Sequence, residues 1–416
     1  MPSRRPALLL LALIAFVAAS PLSAQDPAAL LQDSSVKAAL EAAQRNEPKF
    51  IDEEVRICEI PAPPFHETDR GKELERLFNA LGLKDVRIDK VGNVIGVRPG
   101  RSAHPNLVFS AHLDTVFPEG TNVKVTRDGA LLKGPGIGDD CRGLVVMLGT
   151  IQALNDARVE TPGTITFVAD VGEEGLGDLR GVKNLFGESL KGEIDKFISV
   201  DGTGLGLTNI GVGSMRYRVT YKGPGGHSYG AFGMANPIHA MGRAIAKIAD
   251  FQVPANPKTT FNVGRVGGGT SVNAIPFEAW MEVDMRSADV ASLKALDEKF
   301  NAAVRAAADE ENRRWNNRGK VTVSPELVGL RPAGQTPADS PIVQTALAVS
   351  HALGIEENLH EGSTDSNVPM NLHIPAITIS GGGKGSGAHS LNETFDTTDS
   401  WRGTQRAILL AVALAR

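Results

Sequence analysis

The chain has 416 residues, 42% of them hydrophobic and 22% charged, with a formal net charge of -5. That is the composition of a globular protein of two or three domains, and it excludes a disordered or collagen-like chain. Aromatic residues are only 5% and the charge balance is mildly acidic, so neither stacking rings nor a positive field for nucleic acid is expected.

Residues 1–24 read as a signal peptide. Arg4 and Arg5 make a short positive start, Ala7 to Ala19 is an unbroken apolar run of 13 residues, and Ser23-Ala24-Gln25 follows. Such a run is too short to cross about 30 Å of hydrocarbon as a helix, whereas a signal peptide needs no more. Removal near Ala24 would leave an exported protein, periplasmic or secreted, without a membrane span. Export permits disulfides. Cys58 and Cys141 are the only cysteines; two buried free thiols are favoured over a pair, and sites built from several thiolates are excluded.

Beyond the leader, strands alternate with helices. Asn106 to Ala111 is a β-rich run, and Gly143 to Ala157 has the apolar face of a helix. Thr164 to Ala169 and Lys196 to Val200 are short strands, each entering a polar loop that contains glycine. Ile342 to Ala352 reads as a helix, Ala376 to Ser380 as a strand and Arg402 to Ala415 as a closing helix. This order predicts an α/β domain with a mostly parallel sheet between helices. The middle of the chain differs. Met215 to Tyr221, Thr259 to Val266 and Trp280 to Met285 read as strands, and Pro237 to Ile248 and Val290 to Trp315 as helices. Such a succession belongs to a small open-faced α+β domain. It is placed at residues 213–324, inserted between the two parts of the larger domain, 25–212 and 325–416.

Chemistry-bearing residues fall in loops that follow strands, where parallel sheets build their sites. In Ser110-Ala111-His112-Leu113-Asp114, the two-residue spacing puts Asp114 on the same side as His112, a carboxylate beside an imidazole. Gly134 to Gly143 carries the pair Asp139-Asp140 just before a helix, and one of these acids is expected to cap it. Glu173 and Glu174 are adjacent at the end of an apolar strand, where their repulsion calls for a cation or a raised pKa. Asp201 ends another strand, and His389 follows a run of glycines at 381–383. Two zinc ions would be balanced by Asp139, Glu174, Asp201 and one hydroxide, which leaves Glu173 over as an unliganded base. Gly226-His227-Ser228-Tyr229-Gly230 matches a nucleophile elbow in letters only, because the next helix begins several residues later.

The pieces HLDTV, GPGIGDDCRG, GEEG, VDG and GAHS, in this order, resemble the co-catalytic di-zinc exopeptidases. These include peptidase T, carnosinase-type dipeptidases, glutamate carboxypeptidase and aminoacylase. The resemblance runs from about Cys58 to His389 and implies a catalytic domain with an inserted lid or dimerisation domain. It implies that His112 and Asp201 hold one metal, that Glu174 and His389 hold the other, and that Asp139 bridges them. Glu173 would be the general base and Asp114 would orient His112. His227 would reach the substrate, often from a neighbouring subunit. Asn273 and Arg286 would bind the substrate's carbonyl and carboxylate, an Arg fork suiting the latter; Arg331 is a weaker candidate for that task. Cys141-Arg142 departs from the pattern of many relatives beside the bridging Asp139.

The resulting expectation is an exported metallopeptidase with two zinc ions per chain, cobalt or manganese being alternatives. It would act as a homodimer on short peptides, in the manner of an aminopeptidase, dipeptidase or tripeptidase. A carboxypeptidase or an N-acyl-amino-acid amidohydrolase would use the same site. A catalytically inactive peptide- or metal-binding protein is the reading from another class, and the presence of Glu173 argues against it.

Overall fold

The computed structural model describes residues 27–356 and 358–416; the expected signal peptide lies outside them. Its larger unit is built on a nine-stranded sheet. In spatial order eight strands run Lys84–Ile88, Val94–Arg98, Thr164–Asp170, Asn106–His112, Lys196–Val200, Ala376–Ile379, Leu207–Gly211 and Gly334–Gln335, and Leu359–Gly362 also pairs with Leu207–Gly211. The four strands from Thr164–Asp170 to Ala376–Ile379 are mutually parallel, and antiparallel strands flank them on both sides.

All seven residues of Asn106–His112 are buried, as a strand covered on both faces requires. Alternate side chains serve opposite layers. Leu107, Phe109 and Ala111 join the core formed with the helices Ser34–Cys58, Cys141–Asp156, Pro341–Ala352 and Trp401–Leu414. Val108 faces the other way, against Leu179, Val182, Leu185 and Leu190. Helices Ser34–Cys58 and Thr68–Ala80 add to the elements read from the sequence.

A second, antiparallel sheet has the order Thr259–Gly268, Glu278–Ser287, Gly213–Lys222 and Thr322–Arg331. Glu278–Ser287 alternates buried and half-buried residues along its whole length. Its inner face packs under helices Pro237–Ala249 and Val290–Arg314, around Tyr221, Met281 and Phe300. The fourth strand continues to Arg331, so this unit runs on past Ser324 before the chain re-enters the main sheet.

Cys58 and Cys141 form a disulfide, with Cα atoms 5.6 Å apart across a separation of 83 residues. The expectation of free thiols is corrected. Cys58 closes one helix and Cys141 opens another, and the packing of those helices brings the two ends together, which spacing along the chain does not reveal. Arg142, next to Cys141, is fully buried. It pairs with Glu47 at 2.9 Å and Glu54 at 3.3 Å, and donates to the carbonyls of Gly381 and Ser400, each at 2.7 Å. It therefore ties the start of helix Cys141–Asp156 to helix Ser34–Cys58, to the N-terminal cap of helix Trp401–Leu414 and to the glycine run. Among the described residues no helix is long and apolar enough to cross a membrane.

Replacing both cysteines by serine is expected to lower unfolding stability by about 2–5 kcal/mol, the range for a cross-link closing a long loop. Denaturant unfolding under non-reducing conditions checks it, and an unchanged midpoint would mean that the bridge contributes no stability.

Candidate active site

Three of the candidate residues stand at or just beyond the carboxyl ends of neighbouring parallel strands. His112 ends Asn106–His112, the Gly172–Glu174 loop follows Thr164–Asp170, and Asp201 follows Lys196–Val200. The other two ride on a small sheet of Lys384–Ser386, Thr394–Asp396, Leu131–Lys133 and Thr126–Asp128. Asp139 lies in the loop after Leu131–Lys133, and His389 lies in the connection between Lys384–Ser386 and Thr394–Asp396. Pairing of Leu131–Lys133 with Thr394–Asp396 brings these loops together across 250 residues of sequence.

Asp139 stands between the two imidazoles. Its Oδ1 is 3.1 Å from His112 Nε2, and its Oδ2 is 3.1 Å from His389 Nε2. His389 Nε2 is also 3.0 Å from Glu174 Oε1. Ligand-type atoms lie within 4.8 Å of one another in three overlapping groups: His112, Asp139 and Asp201; Asp139, Glu174 and His389; His112, Glu173 and Glu174. Burial pushes Asp201 up to about 7, helped by the nearby Asp139. The bonds from Asp139 and Glu174 push His389 up to about 10. Burial opposes charge on Asp139, yet both imidazoles hold its carboxyl well below the usual range. Two imidazole nitrogens and three carboxylates, crowded until the histidines draw in protons, form a donor set suited to a pair of borderline divalent ions. The residues fit such a pair.

A sequence profile of the peptidase family M20/M25/M40 matches residues 108–413. This chain belongs to that family. It is a metal-dependent hydrolase of peptide or amide bonds. It is 26% identical over 354 residues to the uncharacterized protein YqjE of Bacillus subtilis (strain 168), covering 81% of this chain and 91% of that one. To carboxypeptidase G2 of Pseudomonas sp. (strain RS-16) it is 27% identical over 337 residues, 77% of each chain. The fold matches that of a tripeptidase from Staphylococcus aureus subsp. aureus Mu50, with a TM-score of 0.73 and 23% identity over 89% of this chain and 98% of that one.

Within this M20 peptidase, the loops that carry the candidate ligands are themselves held by buried carboxylates. Asp140 is the capping member of its pair. Its Oδ1 accepts from the N–H groups of Gly143 at 3.0 Å and Gly202 at 3.2 Å, and its Oδ2 from that of His112 at 3.2 Å. A Cβ on Gly143 would lie 2.3 Å from those oxygens and 2.4 Å from the Val200 carbonyl, so only glycine fits there. Asp114 differs from the expectation. His112 Nδ1 donates to its main-chain carbonyl at 2.9 Å, while its carboxylate Oδ1 is 3.7 Å from that nitrogen. The carboxylate instead accepts from the amides of Gly172, Glu173 and Glu174 at 2.8, 3.1 and 2.8 Å. Asp114 therefore orients His112 through its backbone and shapes the glutamate loop through its side chain.

Glu393 was not among the sequence candidates. It is 2% exposed and accepts from the amides of Gly136 at 2.9 Å, Gly138 at 2.8 Å and Asp139 at 3.0 Å. Burial pushes it up to about 7 in spite of those donors. The signal that could have found it is its place four residues after His389, immediately before the strand that pairs beside the Asp139 loop. Arg331 also has a different partner from the one considered. Its Nη1 pairs with Glu173 Oε1 at 2.9 Å, and its Nη2 donates to the Glu173 carbonyl. Burial lifts the Glu173 pKa well above the ordinary carboxylate value against the pull of Arg331.

A cleft of about 470 Å³ opens over Asp139, Glu173, Glu174, Asp201 and His389. Arg216, Arg286 and Arg331 also line it. His227 and Asn273 are not among the described residues that line it. They sit together at the short ladder of Gly226–His227 with Ala274–Ile275, Asn273 one residue before its second strand, where the Ser228 amide donates to the Asn273 carbonyl. His227 Nδ1 accepts from the amides of Tyr229 and Gly230 at 3.2 and 3.3 Å.

Glu393→Ala is expected to weaken metal binding about 10- to 100-fold, the usual effect of losing a residue that orients a ligand, with the fold retained. Competition against a graded chelator measures it, and wild-type affinity would show that the Asp139 loop keeps its shape without Glu393.

Proposed function

We propose that this chain is an exported di-zinc exopeptidase acting on short peptides, in the manner of an aminopeptidase, dipeptidase or tripeptidase. The observation that carries the reading is the single Asp139 carboxylate set between His112 and His389, with Asp201 and Glu174 completing a three-residue group on either side. His112 and Asp201 would hold one ion, Glu174 and His389 the other, and Asp139 both. When bound, such a pair supplies an acidic water and polarises the scissile carbonyl.

Glu173 is the base in this reading. Its raised pKa suits a carboxylate that takes a proton from water and delivers it to the leaving amine nitrogen. Arg331 fixes it through Oε1 and the main-chain carbonyl. Arg286 faces the same cleft and would receive a substrate carboxylate. That assignment favours peptides with a free carboxylate near the scissile bond, and it keeps a carboxypeptidase or an N-acyl-amino-acid amidohydrolase as the second reading.

Export is supported by the composition of residues 1–24 and by the disulfide, a bond at home in oxidising compartments. A homodimer joined through the inserted unit is supported by the apolar surface around His227. Tyr229, Phe232, Val272 and Phe277 are all well exposed there, the kind of patch that marks an interaction site. In such a dimer His227 would serve the partner's cleft as an oxyanion donor.

Glu173→Ala is expected to keep two metals per chain and lose nearly all turnover, whereas Asp139→Ala loses affinity for both metals together. Elemental analysis alongside peptide hydrolysis decides it. Metal lost with Glu173, or one site left at wild-type affinity without Asp139, would reverse these roles. His227→Ala should keep both metals and lose roughly 100-fold in turnover, the scale of one oxyanion donor. Subunit exchange between His227→Ala and Glu173→Ala chains should restore part of the activity, because a hybrid contains one intact site. Hybrids that form and stay inactive would remove His227 from any role across the interface.

A further inference from the structure

Strands Gly213–Lys222 and Glu278–Ser287 pair with Arg216 opposite Asp284. Arg216 Nε donates to Asp284 Oδ1 at 3.1 Å, and Arg286 Nε donates to Asp284 Oδ2 at 2.8 Å. One carboxylate thus holds two guanidinium groups, and both arginines line the cleft. Arg286 keeps its two Nη groups without a partner among the described residues, so its fork is presented and held in one orientation. Arg216 goes further. Its Nη1 donates to the carbonyl of Gly175, the residue that directly follows Glu174. Its side chain is 16% exposed against 41% for Arg286, so Arg216 is packed between the inserted sheet and the glutamate loop.

We propose that Arg216 is a positioning residue that sets the distance between the receptor for the substrate carboxylate and the Glu173–Glu174 loop. The connection runs from Gly175 through Arg216 and Asp284 to the Arg286 fork, in hydrogen bonds at every step. A peptide anchored by its carboxylate on Arg286 has its scissile bond placed over the ligand cluster by this chain of contacts. Displacement of about 1 Å at such an anchor is enough to cost about 100-fold in rate. The proposal rests on the reading of Arg286 as the carboxylate receptor, and it adds a residue outside that assignment. The same strands contain an internal comparison. Arg218 pairs with Glu282 at 2.7 Å one step along the same face and stacks over Trp280, away from the cleft lining.

The test uses metal-loaded full-length protein and two substrates, a dipeptide with a free C-terminal carboxylate and its C-amidated form. Wild type should prefer the free acid. Arg216→Gln and Asp284→Asn should each lower kcat on the free acid roughly 10- to 100-fold, with a smaller change in KM, and leave the amide within about threefold. Arg218→Gln should behave as wild type on both. Equal losses on acid and amide would overturn the proposal, since a residue that only docks the two sheets would affect every substrate alike. So would unchanged kinetics in both variants. A wild-type enzyme that cleaves acid and amide equally well would instead remove Arg286 as the receptor, and the proposal with it.

Discussion

Bringing Asp139, Glu174 and Asp201 within reach of one another in a half-buried cleft is the arrangement on which the rest of the structure depends. Burial and mutual repulsion oppose three neighbouring carboxylates. Burial with Asp139 alongside pushes Asp201 up, and the bonds from Asp139 and Glu174 push His389 up. Nothing in the local sequence favours such convergence, so it has to be imposed by structure outside the cluster. Much of the imposing is done by further acids. Asp114, Asp140 and Glu393 aim their carboxylates at nine backbone N–H groups of the candidate ligand loops, three each. A backbone held by a charged acceptor is hard to move, because leaving that acceptor unpaired in a buried site costs more than an ordinary hydrogen bond returns.

The start of helix Cys141–Asp156 shows how the frame is locked from behind. The disulfide fixes its first residue to the end of helix Ser34–Cys58, and Arg142 spans from that first helix to the glycine run before His389. Cys141 and Arg142 therefore act on the same object. They hold the helix whose N-terminal cap, Asp140, sits beside the shared Asp139. A buried Arg satisfied by two acids and two carbonyls is costly to disturb, since removing either side leaves charge without a partner.

Much of this was legible from sequence because the candidate ligand residues follow strands, and strands announce themselves. His112, Glu174 and Asp201 each come just after a β-rich apolar run, and the five motif pieces keep a fixed order. The inserted unit was readable for a similar reason, since the alternation in Met215 to Tyr221 and Trp280 to Met285 is that of a one-faced sheet. What escaped depends on distance across the fold. Glu393 looks like a surface residue in a polar stretch until the strand Thr394–Asp396 is paired with Leu131–Lys133. Cys58 and Cys141 looked unpaired because helix packing, not spacing, joins them. Asp114 was placed beside the correct histidine, but its carboxylate serves amides that lie on another strand's loop. Arg331 was weighed as a substrate contact, and its partner proved to be Glu173, since the strand carrying it extends past the expected boundary.

That extension bears on how the two sheets are joined. The segment from Glu173 to Lys183 is gripped on one side by Asp114 of the main sheet and on the other by the strand Thr322–Arg331. The second grip includes Arg331 on Glu173, the Leu330 amide on Asp178 Oδ1 at 2.7 Å, and Lys183 on the Leu330 carbonyl at 2.8 Å. The Leu330 contacts are exposed, and water can replace them at a cost of about 1 kcal/mol each. The Arg331–Glu173 pair is buried on both sides, and separating it would strand two charges at a cost of several kcal/mol. The inserted sheet is therefore tied to the main one most firmly at Arg331, where the same bond fixes Glu173 beside the candidate ligands, and the Leu330 contacts only add to that hold.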